Sequence, residues 1–436
     1  MESVLPDKFE TYLREAIGSA DCAAVLESIV SGNPVISIRL NPLKSIPEYI
    51  DSVVNIAKRN GDKVPWCRDG YYLKERPDFT LDPTFHAGAY YVQDASSMFL
   101  SLLEPLIKSR SAILDLCAAP GGKSTHLISM KSPNGRITAN EVIRSRYSIL
   151  KENLTKWGDR SVEMLSLDPT YFNKKEINHK GIHGEPIMYD FVLVDAPCSG
   201  EGLFRKDRAA MREWSEDMVR MCAARQRRIL SDIWSSLASG GYLVYSTCTF
   251  NKYENEENIL WLREEYGAEI VPLEQIVDCR YGGVAELSLI EKWGIRKSDI
   301  VGYRFLPGVV RGEGQYFALV RKPGNSTGIE KSSTLRESRQ RDKVSPGNHK
   351  RHANGVVAPE IEEALSVNYD GTFPSVELSK EYALRFLSRE TILLKDAPLG
   401  YLRVTYGDLG LGFVKNIGSR ANNLYPVGWK IRKRIR

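Results

Sequence analysis

Two cysteines with the surroundings of functional thiols follow two apolar segments of this chain. Cys198 lies in DAPCSG, directly after the apolar run FVLV, and Cys248 lies in YSTCTF, after a second such run. A thiolate is a strong nucleophile that can divide one difficult reaction step into two easier ones. A cysteine in an apolar strand is normally a small buried hydrophobic residue, which is our interpretation of Cys222 and Cys279. The Pro, Ser, Thr and Gly residues around Cys198 and Cys248 favour a functional role for that pair.

A small-residue loop precedes both cysteines. The segment DLCAAPGGKST, Asp115 to Thr125, leads from an apolar strand through a loop into a helix. Small residues let a ligand approach the backbone amides, and a helix start presents unpaired N–H groups. A P-loop would require glycine where the chain has Cys117, so a nucleotide triphosphatase is not expected. A purely structural strand-to-helix turn is the other interpretation.

Three acidic residues follow successive strand-like runs. Glu141 lies about 20 residues beyond the glycines, as expected for a carboxylate that binds ribose hydroxyls, although by itself it could be a helix N-terminal charge. Asp168 could accept a hydrogen bond from an adenine amino group or only cap a turn. Asp195 shares its motif with Cys198, at the edge of the sheet where ligands bind in such folds.

Short apolar runs alternate with amphipathic stretches from Ala112 onward, which is typical of a parallel sheet covered by helices. The runs predict strands over Ala112–Leu116, Arg136–Asn140, Val162–Leu167, Phe191–Val194, Tyr242–Ser246 and Tyr316–Arg321. Helical patterns cover Ser124–Lys131, Arg144–Trp157, Met211–Leu237 and Glu254–Tyr266. Right-handed crossovers between parallel strands then predict an α/β, doubly wound sheet over residues 106–322.

The flanking stretches differ from this central region. Residues 1–105 combine a helical start, an alternating run at Val35–Leu40 and a turn-rich part from Trp66 to Pro83, so we expect a small α+β domain. Residues 323–355 are polar and nearly free of large apolar side chains, as in a linker. Strand-like alternation in YLRVTY and LGFVKNI predicts a small β-rich domain over 356–436.

Composition excludes several classes of protein. Hydrophobic residues make up 42% and charged residues 26% of the chain, and no run is long enough for a transmembrane helix, so we expect a cytoplasmic globular protein without a membrane partner. The seven cysteines include no C-x-x-C pair and the six histidines no ligand spacing, so we expect reduced thiols and no metal. A net charge of +5 is compatible with a polyanionic partner but does not require one.

The motifs together resemble the RNA cytosine-5 methyltransferases, the family of the nucleolar antigen and Sun proteins. DLCAAPGGKST, DAPCSGEG and YSTCTFNKYENEEN occur in family order, and the resemblance covers about 90–320. The stretch EGLFRKD, Glu201 to Asp207, and the C-terminal extension look like the bacterial subgroup that acts on small-subunit ribosomal RNA. The C-terminal region then resembles a PUA domain that ends at NNLYPVGWKIR.

The resemblance implies S-adenosyl-L-methionine as the cofactor and RNA, specifically 16S ribosomal RNA, as the partner. Glu141 would hold the ribose, Asp168 the adenine, and Asp195 would lie near both cofactor and base. Residues 1–105 would position the substrate and 356–436 would bind RNA. The backbone of the glycine loop would hold the methionine part, through Cys117, Ala118, Ala119, Pro120, Gly121, Gly122 and Lys123.

In the reaction that this family implies, Cys248 adds to carbon 6 of cytosine as the nucleophile, so that carbon 5 can accept a methyl group. Lys123 and the cofactor sulfur would favour the Cys248 thiolate. Asp195, if protonated or bridged to the base, could donate at nitrogen 3. Cys198, as thiolate or through a water, would remove the proton from carbon 5. DNA cytosine-5 methyltransferases attack with the cysteine of their Pro-Cys motif, which would reverse the two thiols.

Other interpretations stay open at this point. The target could be transfer RNA, or the chain could be an inactive RNA-binding or assembly factor, although neither Cys248 nor the glycine loop is lost. Methylation of an exocyclic nitrogen would require an Asn/Asp-Pro-Pro-Tyr loop in place of DAPCSG. Arg205, Lys206 and Arg208 could contact phosphates or form a solvated charge run. Where the family commonly has Pro-His, the chain has Gly308, so no histidine role can be transferred.

Overall fold

The computed structural model describes residues 5–173, 188–276, 287–324 and 358–433. Nearly all of the predicted linker, 323–355, lies outside these residues. Within them, no helix is long and apolar enough to cross a membrane. The same residues contain no group of three or more His, Cys, Asp or Glu side chains that could hold a metal ion.

The N-terminal region is an α+β unit built on a four-stranded antiparallel sheet of order β2-β3-β1-β4. The segment from Trp66 to Pro83, predicted to be turn-rich, contains strand β3, because a hairpin with β2 satisfies its backbone. The elements are α1 (Phe9–Ser31), β1 (Ser37–Leu40), α2 (Val53–Asn60), β2 (Asp62–Val64), β3 (Cys67–Tyr72), α3 (Pro83–His86) and β4 (Tyr90–Val92).

The central region contains the predicted doubly wound sheet. Its elements are α4 (Glu104–Lys108), β5 (Ala112–Asp115), α5 (Gly122–Met130), β6 (Arg136–Asn140), α6 (Arg144–Trp157), β7 (Glu163–Leu165), β8 (Tyr189–Asp195), α7 (Arg208–Glu213), α8 (Glu216–Trp234), β9 (Leu237–Thr247), α9 (Glu256–Tyr266), β10 (Glu269–Ile270), α10 (Leu287–Lys292), β11 (Arg296–Lys297), β12 (Tyr303–Phe305) and β13 (Gln315–Arg321).

The strands of this sheet lie in the order β11-β12-β13-β9-β8-β5-β6-β7, and β10 pairs with β13. Strands β5 to β9 are parallel, whereas β13 runs antiparallel to β9. All six predicted strands are present. The chain reverses its direction of winding at β5, so the carboxyl ends of β5, β8 and β9 open into one crevice, where such sheets bind ligands.

One predicted helix is divided in the structure. The pattern over Met211–Leu237 predicted a single helix, but α7 ends at Glu213 and α8 begins at Glu216. Ser215 caps α8 by accepting a hydrogen bond from the Met218 N–H, which starts a new helix where periodicity alone indicated continuity. Strand β9 begins at Leu237 rather than at Tyr242, since its first residues bond across to Tyr189 of β8.

The C-terminal region is a small unit with a four-stranded sheet of order β14-β15-β16-β17. The two predicted strands, in YLRVTY and LGFVKNI, are confirmed as β15 and β16, which form an antiparallel pair. The elements are α11 (Ile361–Leu365), β14 (Ser375–Glu377), α12 (Lys380–Leu387), β15 (Gly400–Tyr406), β16 (Leu409–Asn416) and β17 (Ala421–Asn423).

The N-terminal and central regions share one hydrophobic core. Trp66 contacts Phe305 with ring centroids 5.0 Å apart, and Phe99 stacks on Phe317 at 4.4 Å. Each of these side chains is at least nine-tenths buried. Because aromatic burial contributes a large share of core stability, the central sheet depends on the N-terminal residues for its packing.

A buried ion pair fixes the sheet extension next to the crevice. Arg304 in β12 donates to Glu256 in α9 at 2.6 Å, and the side chains are only 3% and 2% exposed. The same guanidinium donates to the Phe250 carbonyl, two residues beyond Cys248. The pair therefore ties β12 and α9 to the chain segment that follows β9.

We expect Glu256→Gln to lower the free energy of unfolding by about 3 kcal/mol, because it leaves a buried guanidinium without its counter-charge. Urea denaturation followed by circular dichroism measures this. The double variant Arg304→Met with Glu256→Leu removes both charges and should lose less than the single variant. Equal or greater loss in the double variant would contradict the buried-charge explanation.

Candidate active site

The two motif cysteines meet at the carboxyl edge of the central sheet. The Cys198 Sγ and Cys248 Sγ atoms are 3.4 Å apart. Two contacts join the loops that carry them: the Gly202 N–H donates to the Cys248 carbonyl at 2.7 Å, and the Ser199 and Thr249 hydroxyls lie 2.9 Å apart. The sulfur-to-sulfur distance is thus set by bonds on both sides of the pair.

Buried carboxylates hold these two loops in place. Glu201 is 1% exposed and accepts from the backbone N–H groups of Phe250 and Asn251 and from the Trp214 indole. Glu254 accepts from the Ser199 N–H at 3.0 Å. Each bond stabilises a carboxylate that burial would otherwise disfavour.

Both glutamates lie in motifs of the sequence, but the sequence alone predicted no role for them. Their position in EGLFRKD and in YENEEN, close to the cysteines, was the available signal. Burial, followed by the charge of Glu201, raises the pKa of Glu254 to about 7. Because both side chains are buried and bonded to the backbone of the loops, Glu201 and Glu254 position the loops rather than face a ligand.

The two thiols are not equivalent. The hydrogen bond with Cys248, reinforced by burial, raises the pKa of Cys198 well above its ordinary value. The 3.4 Å contact allows either sulfur to be the donor, and the raised pKa makes Cys198 difficult to ionise. Because the thiolate is the attacking form, the raised pKa of Cys198 argues against Cys198 as the nucleophile and favours Cys248.

Asp195 and Lys123 form an ion pair beside the thiols. The Lys123 ammonium donates to Asp195 Oδ2 at 2.9 Å, and Asp195 Oδ1 accepts from the Ser246 hydroxyl at 2.7 Å. Burial alone would lower the pKa of Lys123, but the Asp195 carboxylate outweighs burial and raises it, and Cys248 adds to that effect. A charged ammonium thus lies close enough to the Cys248 sulfur to interact with it electrostatically. In this geometry Asp195 accepts hydrogen bonds at both oxygens.

The glycine loop has the shape of a ligand cradle. Gly121 adopts φ +113°, and a Cβ there would lie 3.3 Å from a Leu150 methyl group. Asp115, at the end of β5, is fully buried, with Oδ2 accepting from the Ser124 hydroxyl at 2.6 Å and Oδ1 without a partner in the described residues. A buried carboxylate oxygen without a partner, at the start of a loop of small residues, fits the amino group of an amino-acid moiety.

The predicted ribose and adenine carboxylates follow β6 and β7 at the same edge. Glu141 is 3% exposed, accepts from the Ile143 N–H at 2.9 Å and lies 3.5 Å from Arg146. Asp168 accepts from the Thr170 N–H and hydroxyl, and these bonds lower its pKa. Asp168 therefore caps a turn, which was one of its two predicted roles, and its adenine role stays a prediction.

The arrangement differs from expectation at one of the basic residues. Arg205, considered as a phosphate contact, is 6% exposed and donates to Glu313 at 2.7 Å, to the Gly312 carbonyl and to Ser28. The guanidinium is held in a buried ion pair and is not exposed for a contact with RNA. Sequence reasoning missed this because its partner follows more than a hundred residues later.

Gly308 has a structural reason to lack a side chain. Its φ is +86°, and a Cβ would overlap the Ala24 carbonyl oxygen in α1. The close approach of α1 to this turn therefore excludes histidine, the residue that the family commonly has here.

Comparison with known proteins adds to this geometry. The family model described as 16S rRNA methyltransferase RsmB/F matches residues 101–320. The models for the N-terminal domain of 16S rRNA methyltransferase RsmF and for the methyltransferase RsmF PUA domain match 5–95 and 373–431. The chain belongs to the 16S rRNA methyltransferase RsmB/F family. It is therefore a methyltransferase, S-adenosylmethionine is its cofactor, and its C-terminal unit is a PUA domain.

Relatives and solved structures support this membership. Ribosomal RNA small subunit methyltransferase F of Escherichia fergusonii is 30% identical over 97% of this chain and 95% of its own length. A methyltransferase homolog protein from Pyrococcus horikoshii has a TM-score of 0.53 and 27% identity, covering 72% of this chain and 93% of its own. The NSun6 structure from Pyrococcus horikoshii, at 18% identity and a TM-score of 0.52 over 73% of this chain and 98% of its own, supports the fold.

Asp115 should make stability depend on pH. Burial raises its pKa to about 7, above the unfolded value near 3.8, so its contribution is full at low pH and is lost as the pH rises through 7. From pH 5 to pH 8 the wild-type free energy of unfolding should fall by about 3 kcal/mol more than that of Asp115→Asn. Urea denaturation at both pH values measures this, and parallel pH profiles would refute it.

Proposed function

We propose that this enzyme methylates carbon 5 of a cytosine in 16S ribosomal RNA, with Cys248 as covalent nucleophile and Cys198 as the thiol that releases the product. The observation that carries the proposal is the 3.4 Å contact between the two sulfurs at the carboxyl edge of the sheet, beside the Lys123–Asp195 ion pair. Methylation at an exocyclic nitrogen needs no thiol. Carbon 5 chemistry requires a nucleophilic thiol at the ligand-binding edge of the sheet, and a second thiol beside it can act as the base.

Several residues are suited to hold the cofactor in the crevice. We assign its methionine part to the backbone of Cys117–Lys123, with the unpaired Asp115 oxygen facing its amino group. Glu141 would bind the ribose and Asp168 the adenine. When bound, the cofactor supplies an electrophilic methyl group next to the base.

Cys248 starts the reaction by adding to carbon 6 of the cytosine. Carbon 5 of the free base is a weak nucleophile, and formation of the carbon–sulfur bond turns the ring into an enamine that can attack at carbon 5. The addition places negative charge on the ring near nitrogen 3. The Lys123–Asp195 pair can stabilise this charge, with the ammonium as the cation and the carboxylate accepting from the exocyclic amino group.

Cys198 acts after methyl transfer. Once the Cys248 sulfur is bonded to carbon 6, the Cys198 thiol gives its proton to water, so that the resulting thiolate can act as a base. Directly or through a water, Cys198 takes the proton from carbon 5, the carbon–sulfur bond to Cys248 breaks, and the methylated base is released.

The RNA must present an unpaired cytosine, because stacking hides carbon 6. Membership of the 16S rRNA family and the presence of a PUA domain support ribosomal RNA over transfer RNA as the substrate. We further propose that residues 1–105 position the substrate, 106–322 catalyse, 323–355 link and 356–436 bind RNA. A ribosomal substrate would place the enzyme in the cytoplasm.

Covalent trapping tests the division of labour between the thiols. Wild-type enzyme, Cys248→Ala and Cys198→Ala are incubated with cofactor and RNA, and adducts are resolved on a denaturing gel. We expect no adduct with Cys248→Ala. Adduct should accumulate with Cys198→Ala, because attack proceeds but release does not. Cys222→Ala is the matched control and should behave as wild type.

Two results would contradict this mechanism. Loss of the adduct only with Cys198→Ala would reverse the roles of the thiols. Methylation that survives in Cys248→Ala would exclude covalent catalysis by this residue.

The substrate assignment predicts release of tritium from 16S rRNA labelled at carbon 5 of cytosine, since only substitution at that carbon expels its hydrogen. Purified 16S rRNA and small ribosomal subunits are compared with transfer RNA labelled in the same way. We expect at least about tenfold faster release from one of the ribosomal substrates. Methyl incorporation without tritium release would refute carbon 5 as the target, and faster release from transfer RNA would refute the ribosomal assignment.

A further inference from the structure

A buried arginine connects the N-terminal sheet to the glycine loop. Arg39 lies in β1, is 1% exposed, and forms no ion pair in the part of the chain that the structure describes. Burial lowers its pKa to about 10, so the guanidinium is still charged at neutral pH. A buried charge without a carboxylate is costly unless its hydrogen bonds are satisfied.

Two of the hydrogen bonds of Arg39 lead to the first turn of α5. Arg39 Nη2 donates to the Gly122 carbonyl at 3.1 Å and to the Thr125 hydroxyl at 2.6 Å, while Nε donates to Gln93 at 2.8 Å. The guanidinium also stacks over Trp157, 4.7 Å from the ring centroid. Its planar fork can serve the two acceptors in α5 and the one in Gln93 at once, which an ammonium cannot do.

The electrostatics of this position are unfavourable for a cation. The N-terminal turn of a helix carries partial positive charge, so a guanidinium beside it is repelled by the helix dipole. The hydrogen bonds and the ring contact must therefore supply the stabilisation. A charged group kept at such a place points to a geometric role for the fork.

The turn that Arg39 holds is the end of the cofactor loop, where α5 begins and where Lys123 is located. Gly122 follows Gly121 of the loop and precedes Lys123, the partner of Asp195. The N-terminal sheet also packs against Gly122, because a Cβ there would lie 3.3 Å from the Tyr91 ring of β4. The N-terminal sheet thus backs this turn directly, by contact and by hydrogen bonds.

We propose that Arg39 is a positioning residue for the cofactor loop and for Lys123, so that the N-terminal domain completes the cofactor site besides positioning substrate. This inference rests on the assignment of the loop to the cofactor made above, and it does not depend on which base is methylated. Without the Arg39 guanidinium, the first turn of α5 loses its hydrogen bonds to β1, and the backbone N–H groups of the cofactor loop are no longer held in one orientation.

Binding of S-adenosylhomocysteine, measured by isothermal titration calorimetry without RNA, tests this. We expect Arg39→Met to raise Kd roughly tenfold or more, and Arg39→Lys to lie between Arg39→Met and wild type because it keeps the charge without the fork. Ile38→Ala is the matched control: Ile38 is a fully buried neighbour in β1 that packs within the N-terminal region. It should lower Tm without changing Kd.

Chemical rescue separates positioning from general destabilisation. Guanidinium ion at low, non-denaturing concentration should restore binding to Arg39→Ala, whereas urea, which is planar but uncharged, should not. Unchanged Kd in Arg39→Met, or equal loss in Ile38→Ala at similar Tm, would overturn the inference. If Gly121→Val abolishes binding while Arg39→Met does not, the loop assignment stands and the role of Arg39 falls. If Gly121→Val binds normally, the loop assignment itself is wrong.

Discussion

The parallel pairing of β8 with β9 is the constraint on which the rest of the site depends. Its register sets Asp195 opposite Ser246, so that each strand ends shortly before one of the two cysteines. The 3.4 Å contact of the sulfurs follows from that register together with the bonds between the two loops. A slip of one residue would turn Asp195 away from the crevice, because side chains alternate along a strand.

Buried polar groups convert this backbone arrangement into a defined chemical site. Glu201 and Glu254 bind the loop N–H groups that a parallel sheet leaves unpaired at its edge, and Lys123 neutralises Asp195. The two thiols lie between these groups and share one hydrogen bond at 3.4 Å. The raised pKa of Cys198 is thus a consequence of tertiary packing rather than of its motif.

The N-terminal region is part of the packing and bonding of the central region. Its aromatic residues pack into the core of the central sheet, and Arg39 reaches the first turn of α5. A mobile attachment would not keep a guanidinium buried without a carboxylate. This connection suits the proposed mechanism, in which a cofactor, a lysine and two thiols are aligned around one base.

The sequence by itself determined the doubly wound sheet, the glycine loop, the two strand-end cysteines and the family, because these depend on periodicity and on short motifs that are local in the chain. It also indicated the strands of the PUA domain. The sequence did not predict the division between α7 and α8, because the Ser215 cap starts a new helix there. It also did not predict strand β3, because that strand depends on pairing with β2. Only the tertiary structure decided three other features. Arg205 pairs with Glu313, the close approach of α1 leaves no room for a side chain at position 308, and Arg39 binds the first turn of α5. Each of these depends on a partner more than eighty residues away in the chain, where burial and hydrogen bonding, rather than residue type, set the role of a side chain.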